Sequence, residues 1–136
     1  MARADNIAIA QDLLTRLGTN APPDSVLELF ADDVTWDVPG DPAAFPWIGR
    51  QTGRQSVLSF MTETVDKIER IGPEVEEILA SDAQAVILGR LASRVRRTGS
   101  LIETEFAIVL TIAAGRIARF RMLEDSFAVS QAARAV

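Results

Sequence analysis

Cysteine, histidine and tyrosine are absent from this chain, and lysine occurs once, at Lys67. Without cysteine there is no disulfide and no thiolate nucleophile. Without histidine there is no Ser–His triad and no imidazole proton shuttle within one chain. A typical zinc centre is excluded with them, because its ligands are chiefly Cys and His, so neither a metal nor an organic cofactor is expected. A Schiff-base mechanism would have to use Lys67. Proton transfer near neutral pH is left to Asp or Glu of raised pKa, with arginines or backbone amides as electrostatic partners. No apolar run approaches the roughly 20 residues that span a bilayer, and the opening MARADNIAIA lacks the layout of a signal peptide. No membrane partner is therefore expected, and a cytoplasmic location is the default.

What is present is an ordinary globular balance in 136 residues, with 48% hydrophobic and 24% charged side chains. That length fits one domain over residues 1–136, long enough to bury a real core. The net charge of −5 has the wrong sign for a typical nucleic-acid binder, so no nucleic-acid partner is expected.

Ile7, Ala10, Leu14 and Leu17 recur at helical spacing before Gly18, and Pro22-Pro23-Asp24 opens a short second helix. In ADDVTWDVPGDP, residues Val34, Trp36 and Val38 alternate with Thr35 and Asp37, which predicts a strand stopped by Pro39-Gly40. A third helix over about Gly53–Glu69 places Val57, Leu58, Met61, Val65 and Ile68 on one face, and Gly72-Pro73 breaks it. EVEEILA, AVILGRLASRVRR, LIETEFAIVLTI and RIARFRMLE then read as four strands whose short connections imply antiparallel neighbours. The tail SFAVSQAARAV reads as a frayed helix. Segregated helices and antiparallel strands make the class α+β, with a bent sheet around the third helix and one open end.

The runs LFADDVTWDVPG, FPWIGRQTGRQSVLSFM and GRIARFRMLED resemble the SnoaL-like branch of the nuclear transport factor 2-like superfamily. Ketosteroid isomerases, limonene epoxide hydrolase, scytalone dehydratase and polyketide cyclases share that superfamily. The resemblance covers nearly the whole chain and implies a cystatin-like fold: a curved antiparallel sheet wrapped around a long helix, a cone-shaped pocket and a homodimer. Its catalytic residues carry over unevenly. The general-base aspartate of ketosteroid isomerases falls at Val38 and their second aspartate near Ile108, while their tyrosine has no counterpart. The epoxide hydrolase pattern matches at Arg90 but meets Ala92 and Met122 where it has aspartates. The acid–base aspartate of polyketide cyclases matches most closely at Asp125, beside Glu124.

Residue spacing adds a site of its own. A three-residue Ala113–Gly115 loop sets Ile108 opposite Phe120 and Phe106 opposite Met122, one apolar face that Glu124 continues. A carboxylate there is partly desolvated and its pKa rises; the alternative is that Glu124 and Asp125 cap the following turn. A three-residue Thr98–Ser100 loop sets Arg90 opposite Ile108, in the pocket, to hold a ligand oxygen. A two-residue loop turns Arg90 to the other face, and we adopt the first. Asp37, by parity, points away from Trp36 and Val38 and shapes the corner. Arg94, Arg96 and Arg97 make a solvated hairpin tip, anion binding being the other reading.

The candidate catalytic set is thus Glu124, Arg90 and Asp125. Trp36, Val38, Trp47, Met61, Phe106, Ile108, Phe120 and Met122 are the candidate ligand contacts. The expected function is cofactor-independent carboxylate acid–base chemistry (isomerase, cyclase, dehydratase or epoxide-hydrolase class) on an apolar small molecule, in a homodimer. The alternative is a non-catalytic ligand-binding or structural homodimer that has lost the family's catalytic residues.

Overall fold

The computed structural model describes residues 2–19 and 21–134. The elements run α1 (Ala2–Gly18), α2 (Pro23–Leu27), β1 (Phe30–Val38), β2 (Gly49–Thr52), α3 (Arg54–Lys67), β3 (Ile68–Ala80), β4 (Gln84–Val95), β5 (Leu101–Ala113), β6 (Arg116–Glu124) and α4 (Ser126–Arg134). One six-stranded sheet in the order β2-β1-β6-β5-β4-β3 curves against the helices, the expected α+β architecture. No described helix is long and apolar enough to cross a membrane.

β3 to β6 pair antiparallel throughout, as the short turns require. β1, however, joins β6 in parallel, so the sheet is mixed rather than purely antiparallel. The short strand β2, the helix α3 and the strands β3 to β5 separate β1 from β6, ample for the crossover a parallel pair needs. β2 escaped the sequence pattern because its four residues are polar or glycine and alternate only between half-buried and exposed. Gly72-Pro73 does not break a helix. α3 already ends at Lys67, and the dipeptide lies within β3 beside a bulge at Ile71. A proline is tolerated there because β3 is the sheet edge, where its missing donor costs no ladder bond.

Ser56, Val57 and Thr64 are the buried residues of α3, with Phe60 and Met61 packed against the core. Thr64 takes an inward place because its hydroxyl donates to the Phe60 carbonyl at 2.8 Å. Val65, expected on the apolar face, is 71% exposed. Eight residues from Val57 at about 100° per residue is some 80° off the buried stripe, and the correct sequence is 57, 60, 61, 64.

Both hairpin loops differ from expectation. β5 and β6 are joined by a two-residue turn, Ala114-Gly115, with positive φ at both positions (52° and 75°), so Ala113 pairs with Arg116. A bulge next to Thr111 then shifts the ladder, giving Leu110 opposite Phe120, Ile108 opposite Met122 and Phe106 opposite Glu124. The pairing moved by two residues, so the shared face is as expected. Between β4 and β5 the loop is Arg96–Gly99, closed by the Val95 amide donating to Ser100 at 2.9 Å. α4 holds this wider loop: the Thr98 hydroxyl donates to the Ala132 carbonyl at 2.8 Å, and Arg97 donates to that of Ala133.

Candidate functional site

The inward side of the sheet begins with aromatic residues. Trp36 and Phe120 are register partners, and their rings stack 4.0 Å apart with planes within 2°. Phe60 reaches Trp36 from α3 at 4.7 Å and meets Trp47 edge-on at 5.9 Å, while Phe45 stacks on Trp47 at 4.6 Å. Each such pair adds about 0.5–1.5 kcal/mol beyond the area it buries, so this end of the interior is firmly held. Phe60 is the member that sequence reasoning missed; its signal was its place three residues after Val57. The Trp36 indole Nε1 is buried without an acceptor among the described residues. A buried donor left unpaired costs about 1–3 kcal/mol, so this N–H calls for a partner such as a bound water.

Further along the same face burial relaxes. Trp36, Val38 and Leu110 are sealed, whereas Met61, Ile108 and Met122 are only partly buried. Phe106 stays covered because its ring lies on Gly89 of the neighbouring strand. All eight expected ligand contacts, from Trp36 to Met122, therefore belong to one apolar cluster, closed at the aromatic end and looser toward the end of β6.

Glu124 closes that row opposite Phe106. Its carboxylate has no hydrogen bond or ion pair among the described residues. Burial first, and the charge of Asp125 second, push its pKa up to about 7. The adjacent acid is committed elsewhere. Asp125 is exposed and accepts the Ala128 amide at 3.0 Å, capping α4, while its own amide donates to the Thr104 hydroxyl at 3.0 Å. Capping thus claims Asp125 and leaves Glu124 free.

Arg90 does not face the interior. The four-residue loop sets it opposite Glu105, and it pairs with Glu105 at 3.3 Å and Glu76 at 3.5 Å while 64% exposed. Neither expected loop length was right, and the odd register turned the side chain outward. Arg90 and Asp125 do share a surface groove of about 930 Å³, but Glu74, Glu103 and Glu105 line it too, and Glu124 does not. Asp37 behaves as its parity implied: it accepts from Arg119 at 3.1 Å and lies 3.5 Å from Arg50, away from the aromatic interior.

The arginine on the inward register is Arg70, opposite the buried Ser93. It is exposed to solvent, although the protein around it lowers its pKa, and it forms no ion pair among the described residues. Sequence reasoning missed it because residues 68–70 were read as the end of a helix, which hides strand parity. No group of acidic side chains suited to a metal ion occurs among the described residues.

A family model described as a SnoaL-like domain matches residues 10–120. No curated protein matches the sequence. Among solved structures, a nuclear transport factor 2-like protein of Burkholderia xenovorans LB400 superposes with a TM-score of 0.87 at 21% identity, covering 97% of this chain and 98% of that one. A protein described as a SnoaL-like polyketide cyclase from Jannaschia sp. CCS1 gives 0.78 at 15% identity, covering 98% and 94%. TerC, co-crystallised with polyporic acid, gives 0.80 at 16% identity, covering 96% and 99%. At these identities the likeness is one of fold.

Proposed function

Because the chain belongs to the SnoaL-like family, we propose that it is a small-molecule enzyme that moves a proton with Glu124, without metal or organic cofactor. The observation that supports this most is the unpartnered Glu124 carboxyl beside Phe106 and Met122, its pKa pushed up to about 7. A carboxyl of that pKa can accept a proton and return it near neutral pH, the condition for efficient general acid–base work. Glu124 lies beyond the span matched by the family model, so this assignment rests on geometry alone.

The expected substrate is flat and mostly apolar, with one acidic C–H or O–H at Glu124. Trp36 sits level with Phe120, four residues from Glu124, or about 13 Å along the strand at ~3.3 Å per residue. Met61, Ile108 and Met122, only partly buried, are the surface on which such a molecule would lie, short of the sealed Trp36. Arg70 replaces Arg90 as the cation able to face developing negative charge on this side. The polyporic acid held by TerC is consistent with a fold that admits organic acids. Isomerisation, cyclisation, dehydration and epoxide opening all need only these groups.

Deuterium exchange at the acidic position of aromatic ketones and enols, followed by NMR, tests the reading. Wild-type protein should accelerate exchange, and Glu124→Gln should not. Ligand binding without exchange across such a panel would establish the second reading, a binding protein. That reading draws support from Val38, buried, and Ile108, partly buried, apolar residues at positions where the resemblance to ketosteroid isomerases would have placed acids.

We further propose that two copies pair through the outward face of the sheet. Val86, Leu88, Ala107, Val109 and Leu123 are half-buried there, and the Nε atoms of Arg119 and Arg121 are buried without acceptors among the described residues. A polar sheet-on-sheet contact would cover the former and supply the latter. Light scattering should report twice the monomer mass across the micromolar range, and Val109→Arg should reduce it to one. A concentration-independent wild-type monomer would overturn the pairing.

A further inference from the structure

A second depression lies away from Glu124, between the β1–β2 loop, the end of α3 and the β4–β5 hairpin. Its volume is about 690 Å³, within the ordinary range for small-molecule sites. Phe45, Pro46 and Val95 supply apolar wall, and Phe45 is backed by the stacked ring of Trp47. Arg96, Arg97 and Lys67 line the same space with a single acid, Asp66.

The cations are not equivalent. Lys67 stands 3.6 Å from both Glu63 and Asp66, so its charge is answered locally. Arg96 and Arg97 have no carboxylate partner among the described residues. Each is instead anchored through backbone oxygen: Arg96 Nε donates to the Val65 carbonyl at 3.2 Å, and Arg97 donates to that of Ala133. A carbonyl orients a guanidinium without neutralising it, and leaves most of its five donors free. Two oriented, uncompensated guanidinium groups beside an aromatic wall match an anion carried on an apolar body.

We infer that this depression is a binding site for a small amphiphilic anion, its carboxylate, sulfonate or phosphate held by Arg96 and Arg97 and its flat apolar part laid on Phe45. It is separate from the proton-transfer site, sharing no residue with Glu124, Met122 or Arg70. Both arginines are exposed, as a solvated tip implies, but the turn ties them down: Arg96 to α3 at the Val65 carbonyl and Arg97 to α4 at that of Ala133.

The test uses 8-anilinonaphthalene-1-sulfonate and its neutral counterpart N-phenyl-1-naphthylamine, read by probe fluorescence and by quenching of the Trp47 region. The sulfonate should bind at least about tenfold more tightly than the neutral probe, and the preference should weaken with salt. Arg96→Gln and Arg97→Gln should each reduce sulfonate affinity about five- to tenfold, the size expected for one lost charge-assisted bond in a partly hydrated site. Phe45→Leu should weaken both probes. Because Arg97 also holds α4, Arg97→Lys with an unchanged melting curve provides the folded comparison. Glu124→Gln should leave sulfonate binding intact. Equal affinity for the two probes, or sulfonate binding unchanged in folded arginine variants, would overturn the site. Loss of sulfonate binding in Glu124→Gln would assign it to the Glu124 region and do the same.

Discussion

Glu124→Gln should lower turnover about 10²–10⁴-fold, the usual contribution of a general acid–base group, while raising stability at alkaline pH. The second effect requires no substrate. The carboxyl has a usual pKa of 4.5 and is pushed up to about 7 in the folded chain, chiefly by burial. Below pH 4.5 it is neutral in both states and contributes nothing. Between 4.5 and 7 the unfolded chain releases the proton while the folded chain still holds it, so stability falls as pH rises. Above 7 the full penalty applies, at most about 3 kcal/mol, and nearer 1–2 kcal/mol because water still reaches the partly buried group. Glutamine removes the charge and with it the decline. Denaturant titrations at pH 4 and pH 8 should show equal stability at the first and a more stable variant at the second. In wild type, kcat/KM should show an apparent pKa near 7 that the variant lacks. Identical pH–stability curves would mean that Glu124 is solvated and the site is misplaced. Asp125→Asn should behave differently: its side chain caps α4, so helix stability should change, and loss of its charge should lower the Glu124 pKa while leaving the larger effect of burial in place.

Gly89→Ala should destabilise the protein by about 3 kcal/mol or more, the upper end of what overpacking costs. A methyl at this position would lie 2.3 Å from the Glu74 carbonyl and 2.9 Å from the Phe106 ring. The ring can shift, but the carbonyl belongs to the β3 backbone, so β3 would have to leave β4 locally. The partner change Phe106→Leu should therefore rescue only part of the loss. Urea unfolding of the two single variants and the double variant measures this directly. Full rescue by Phe106→Leu would mean that the ring, not the strand, excludes the methyl. The Phe106 ring, held over Gly89, belongs to the register partner of Glu124 and so forms part of its apolar surroundings. The double variant should accordingly lower the Glu124 pKa toward its usual value.

The aromatic end and the Glu124 row were legible because strand parity survives errors in pairing. The ladder between β5 and β6 slipped by two residues relative to the sequence reading, and an even slip keeps every side chain on its face. Arg90 had no such protection. Its orientation depended on whether the loop held an odd or even number of residues, and the four-residue answer comes from Thr98 and Arg97 bonding to α4, more than thirty positions away. Nothing within the hairpin sequence carries that information.

Composition by itself determined which chemistry is open to this chain: with no Cys, His or Tyr, carboxylates and arginines are what remain. Periodicity by itself determined the elements that present Trp36, Phe120, Met122 and Glu124 to one side. Tertiary structure alone decided which acid is free, since Asp125 and Glu124 are neighbours in sequence and only the start of α4 claims one of them. It alone also decided which arginine shares the strand face of Ser93, because a helix ending at Lys67 puts Arg70 in β3 opposite that residue, while Arg90 turns to the other face; both arginines are exposed. Local sequence encodes alternation, whereas hydrogen bonds between distant segments choose which side of that alternation becomes the interior.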